Sequence, residues 1–103
     1  MEDQVVEFEG LEFEWDPDKA AQVEREHGIT FDEAITIFFD PLAATDYDEE
    51  HSDYEDRYLT IGSSSHERLV VVTHTERGSR IRLITARPAT RPEKKAYEQG
   101  EAP

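Results

Sequence analysis

The chain has no cysteine. That excludes disulfide staples and thiolate chemistry, and in so small a protein it favours a reducing compartment over secretion. No apolar run approaches the roughly 20 residues that span a bilayer. The opening Met1-Glu2-Asp3 is acidic where a secretory leader is basic. The cytoplasm is therefore the expected location, with no membrane partner. Basic charge is scarce too: 11 Lys and Arg stand against 25 Asp and Glu, a net charge of -14. Polyanion binders usually carry the opposite field, so the total argues against nucleic acid. The distribution weakens that argument. Residues 1–56 hold 20 acidic and 2 basic side chains, whereas residues 57–103 hold 5 and 9. Such asymmetry between halves fits a polar partner and equally an acidic solubilising surface beside an ordinary arginine-bearing sheet, so charge does not decide.

With 103 residues there is room for one core, so a single domain over 1–103 is expected, with 1–10 and 99–103 as loose termini. Val5 to Trp15 alternates apolar and acidic residues around Gly10 and reads as an opening strand or hairpin. Asp16-Pro17 offers an N-cap and a proline at the first helical position, and Gly28 a C-terminal stop. Thr30-x-x-Glu33 reads as a capping box for a second helix ending at Asp40-Pro41. Residues 43–56 carry too many acids for a strand interior and are expected to form an exposed, mobile connection. Three β-rich runs follow, Arg57 to Ile61, Arg68 to Thr75 and Arg80 to Arg87, with Val70-Val71-Val72 suited to a strand buried on both faces. Thr90-x-x-Glu93 opens a last helix. The expected order is β-α-α-β-β-β-α, an α+β fold of two layers with a helical hairpin on one face of a mostly antiparallel sheet.

The second half holds an inventory suited to RNA. A ribose 2′-hydroxyl can attack its own phosphate if one group removes its proton and cations stabilise the phosphorane, so cleavage needs neither a metal nor a protein nucleophile. Arginines supply permanent charge, and His, Glu or Tyr can move protons. Glu55, Arg57, His74, Arg80, Arg82, Arg87 and Tyr97 are the candidates, with no spaced metal-ligand set and no cofactor motif among them. Arg80 and Arg82 share a strand face, about 7 Å apart. Arg87 has the other parity and joins them only if the strand bulges or ends first. A three-residue turn at Arg77-Gly78-Ser79 would put His74 opposite Arg82, whereas a two- or four-residue turn is expected to pair it with Ile81. Each arginine also fits an ordinary surface ion pair, and His51 and His66 lie in loops without a signal of their own.

Several spaced elements together resemble the BrnT toxin family. They are Phe13-Glu14-Trp15-Asp16-x-x-Lys19-Ala20, His27-Gly28-Ile29-x-Phe31-x-Glu33-Ala34, Phe39-Asp40-Pro41, Glu55-x-Arg57, Ile61-Gly62, Leu69 to Val72, Ile81 to Arg87, and Ala89-Thr90-x-x-Glu93-x-x-x-Tyr97. The resemblance covers about residues 11–98. It implies a RelE-like fold and metal-independent ribonuclease activity that arrests translation, with RNA as substrate. It also implies a BrnA-type antitoxin that binds the toxin and represses their shared operon. On this reading Arg57, His74, Arg82 and Arg87 are catalytic, Glu55 is the base, and Arg80, Arg91 and Tyr97 contact RNA. Two positions depart from the family pattern: Glu26 stands where lysine is usual, and Val23 where asparagine is frequent. The acidic first half and these departures favour an alternative, a non-catalytic relative that keeps the antitoxin-binding surface.

Overall fold

The computed structural model describes residues 2–102. Met1 and Pro103, the outermost residues of the termini expected to be loose, lie outside the described residues. Strand β1 (Gln4–Phe8) turns at Glu9-Gly10 into β2 (Leu11–Trp15). Helix α1 (Pro17–His27) follows, then a short α2 (Phe31–Ala34) that tightens into a 3-10 segment, Ile35–Phe39. Next come β3 (Ala44–Tyr47), a 3-10 turn at Glu49–His51, β4 (Tyr58–Ser63), β5 (Leu69–Arg77), β6 (Arg80–Pro88) and α3 (Arg91–Glu98). The six strands form one sheet in the order β1-β2-β6-β5-β4-β3. Every neighbouring pair is antiparallel except β2 and β6, which run parallel through Phe13–Ile81 and Glu14–Arg82.

Local chemistry explains the helix ends. The Asp16 carboxylate accepts the Asp18 N–H at 2.9 Å, Pro17 occupies the first turn, and Gly28 closes α1 at φ 70°, returning its N–H to Glu24 O at 2.8 Å, a left-handed cap that glycine adopts without strain. The Thr30 box is only half made. The Thr30 hydroxyl accepts the Glu33 N–H at 3.1 Å, but the Glu33 carboxylate reaches across to Ser64 Oγ at 2.7 Å and Arg68 Nε at 2.7 Å. That side chain is buried, and its hydrogen bond to Arg68 lowers its pKa from the ordinary value; through Ser64 and Arg68 the residue joins α2 to the β4–β5 turn.

The main core lies between the helices and one face of the sheet. Phe13, Trp15, Val70, Val72, Leu83 and Ala86 pack against Val23, Phe31, Ala34, Ile35 and Ile37. Gly62 allows the 3-10 segment to approach, since a Cβ there would come within 2.8 Å of the Ile37 carbonyl oxygen. A smaller cluster, Ile61, Val71 and Ala89 with Tyr97 of α3, sits on the opposite face. Val70, Val71 and Val72 are buried from both sides, as their sequence pattern requires.

Three expectations need correction. Residues 4–8 are not part of a loose end, because Val6 and Phe8 of β1 pack on the core and the strand pairs along its length with β2. Residues 43–56 contain an edge strand and a 3-10 turn, held by Asp48 N–H to Arg57 O at 2.8 Å, Arg57 N–H to Ser52 Oγ at 3.0 Å and Tyr47 Oη to Asp56 at 3.0 Å. Charge alone did not decide, since an edge strand can keep its acids in water. Finally, the β5–β6 turn has two residues, Gly78 and Ser79, yet His74 faces Leu83 and not Ile81, and Arg82 faces Thr75.

Candidate functional site

One irregularity arranges the arginines. Between the pairs Thr73–Thr85 and His74–Leu83, Ile84 has no partner, a β-bulge that shifts the alternation of β6 by one residue. Leu83 and Ala86 therefore both face the main core, while Arg87, opposite Val71 of the smaller cluster, shares the outer face with Arg80 and Arg82. The condition set by parity for Arg87 to join them is met.

The outer face nevertheless divides in two. On the β2 side Arg82 reaches Asp3 at 2.8 Å and Glu14 at 2.6 Å, and Arg80 lies 3.4 Å from Glu12 and 3.8 Å from Glu14. Arg77 adds a third guanidinium 3.9 Å from Glu14, whose side chain is nearly buried. The Arg82 hydrogen bond holds the Asp3 carboxyl below its ordinary value, and Asp3 in turn raises Arg82. Charge here is matched within the chain.

On the β4 side a groove of about 370 Å³ is lined by Asp48, Glu50, His51, Arg57, Leu59, Thr73, Ile84, Thr85 and Arg87. Arg87 makes a two-point contact with Glu93, at 2.7 and 2.9 Å. The same carboxylate accepts the Thr90 N–H at 2.8 Å and completes the α3 capping box, so its pKa falls to about 2, chiefly through Arg87. Arg57 meets Glu55 at 3.3 Å. His51 directs Nδ1 to Asp48 Oδ2 at 2.9 Å and remains largely exposed.

The remaining candidates lie elsewhere. His74 is buried on the helix side, its Nε2 2.7 Å from Thr60 Oγ1 and its ring edge-on to Phe38. Desolvation lowers its pKa from 6.5 to about 4. Tyr97 packs on the smaller cluster and donates its hydroxyl to Asp40, which raises its pKa to about 12. Arg91 is exposed at the start of α3. Thus Arg57 and Arg87 come together in the groove, with Glu55 paired to Arg57 but not part of the groove lining, while Arg80 and Arg82 sit among carboxylates, His74 in the core, and Arg91 and Tyr97 outside the groove lining. His51, to which sequence reasoning gave no weight, also lines the groove. Its only local signal was an aspartate three positions earlier, in a segment read as mobile.

No curated protein matches this chain. Among solved structures it is similar in fold to a crystal structure of the Brucella abortus ribonuclease toxin BrnT, with a TM-score of 0.55 and 19% sequence identity, covering 75% of this chain and 94% of that one. The family profile described as ribonuclease toxin, BrnT, of type II toxin-antitoxin system matches residues 15–93, a span that contains the whole groove lining. The chain belongs to the BrnT family of ribonuclease toxins of type II toxin-antitoxin systems.

Proposed function

We propose that this chain is a single-domain, RelE-like endoribonuclease that needs no metal, cuts RNA in the groove between Arg57 and Arg87, and so arrests translation in the cytoplasm until a BrnA-type antitoxin covers it. The observation that carries the reading is the lining of that groove: the guanidiniums of Arg57 and Arg87 and the imidazole of His51, with the carboxylates Asp48 and Glu50, around Leu59, Thr73, Ile84 and Thr85, which bear no charge. A phosphate there can take over the two-point contact that Glu93 makes with Arg87. The ribose 2′-oxygen then attacks phosphorus, the bond to the 5′-oxygen breaks, and a 2′,3′-cyclic phosphate and a 5′-hydroxyl result. On this reading Glu55, which pairs with Arg57 at 3.3 Å, takes the 2′ proton, and the arginines supply the positive charge that a metal would otherwise bring. Arg80 and Arg82 serve to hold β1 and β2 on β6, and His74 belongs to the core, so none of these three carries the chemistry.

The test is cleavage of a mixed-sequence RNA by the purified chain freed of antitoxin. Cutting should persist in EDTA. Arg57→Ala and Arg87→Ala should each slow it about 100- to 1,000-fold, the usual loss for one contact to transition-state charge, and wild-type cutting by the double variant would remove the site. A second reading, the non-catalytic antitoxin-binding relative, is favoured by the carboxylate already on each groove arginine. It becomes the better account if the wild type leaves RNA intact.

A further inference from the structure

We infer that His51 is the general acid of this site, delivering a proton to the departing 5′-oxygen, and that Asp48 is its positioning residue. The inference rests on the ribonuclease reading above and adds the half of the proton balance that Glu55 leaves open. As the 2′-oxygen bonds to phosphorus, its proton passes to the Glu55 carboxylate. As the bond from phosphorus to the 5′-oxygen breaks, the electron pair stays on that oxygen, which needs a proton to leave as a hydroxyl.

Three observations place His51 there. Of the four histidines, His27 lies at the end of α1 beside Glu26, His66 lies against Glu33, and His74 is in the core; His51 is the one in the groove. Its geometry suits proton delivery: a carboxylate can only accept from Nδ1, which leaves Nε2 for another partner. The Asp48 side chain is 12% exposed and the His51 side chain 62%, so the buried member orients the open one. The dyad is also tied to the phosphate-binding group. Asp48 N–H donates to Arg57 O, the Ser52 hydroxyl donates to Asp48 O, and Ser52 Oγ accepts the Arg57 N–H. Imidazole, carboxylate and guanidinium are thereby carried by one closed loop over residues 48–57.

The test uses the full chain, an RNA with one mapped cut site, and the same RNA with sulfur replacing the bridging 5′-oxygen at that site, a leaving group that departs without a proton. His51→Ala should slow cleavage of the oxygen substrate about 100- to 10,000-fold, the range for loss of a general acid or base, and leave the sulfur substrate near the wild-type rate. Asp48→Asn should show the same split, with a lower kcat and an unchanged KM. Unchanged thermal melting and antitoxin binding serve as controls for folding. Equal losses on both substrates, or wild-type cutting of the oxygen substrate by His51→Ala, would overturn the assignment while leaving the ribonuclease reading in place. A wild type that cuts neither RNA overturns both.

Discussion

On the helix side of the sheet, Phe13, Val70, Val72, Leu83 and Ala86 are all 2% exposed or less and are sealed by two helical segments. On the other side the same strands, β5 and β6, turn Thr73, Thr85 and Arg87 toward an open groove. One face derives stability from removing apolar area from water, about 25 cal/mol per Å², and the other keeps charged groups within reach of a ligand. The difference shows a division of labour across one backbone. The sealed face fixes the strands in register, and that register sets where the guanidiniums of the open face can stand.

The largest effect that would probe this division is Phe13→Ala. Phe13 is 0% exposed and touches Phe38 and Phe39, so its loss should cost about 3–5 kcal/mol by denaturant unfolding. Cleavage per folded molecule should hardly change, and a large loss of specific activity in fully folded protein would break the comparison. A smaller effect concerns the charge that the sealed face will not accept. His74 has a folded-state pKa of about 4 against an ordinary 6.5, so the unfolded chain takes up its proton first on acidification. The stability from burying it neutral is complete above about pH 6.5 and falls by about 3 kcal/mol as pH drops to 4. Denaturant midpoints between these values should show the slope, and His74→Leu should flatten it. The smallest effect belongs to the open face: Arg80→Ala removes an exposed pair with Glu12 and a longer contact to Glu14, which Arg82 still holds at 2.6 Å, and should shift stability by no more than about 1 kcal/mol, less in high salt.

What was legible in the sequence was mostly local. Asp16-Pro17 to Gly28, the full Thr90 to Glu93 box and the valines of β5 act through near neighbours or through periodicity, and each stands where those signals put it. The α+β class and the family resemblance followed from many such pieces in order. What was hidden depends on distant pairing. The parallel join of β2 to β6 links residues 68 positions apart, and β3 is a strand because β4 offers it an edge, despite its acids. For the site, Arg57 and Arg87 were visible as residue types, and parity showed that Arg87 needed a bulge. His74 looked chemical from its residue type alone, whereas its neighbours make it core. His51 was passed over because nothing in the sequence fixes the loop that brings it to Arg57.

The bulge at Ile84 also bears on how related chains should be aligned. Because Ile84 lacks a partner of its own in the ladder, excising it would leave Arg82, Thr85 and Arg87 on the outer face and Leu83 and Ala86 on the inner one. A relative one residue shorter at that point can therefore keep Thr85 and Arg87 facing the groove while losing the Ile84 side chain from its floor. A gap between Thr85 and Arg87 is different: it reverses the facing of everything beyond it and directs a guanidinium into the core. Length, as well as identity, is thus inherited information in this strand.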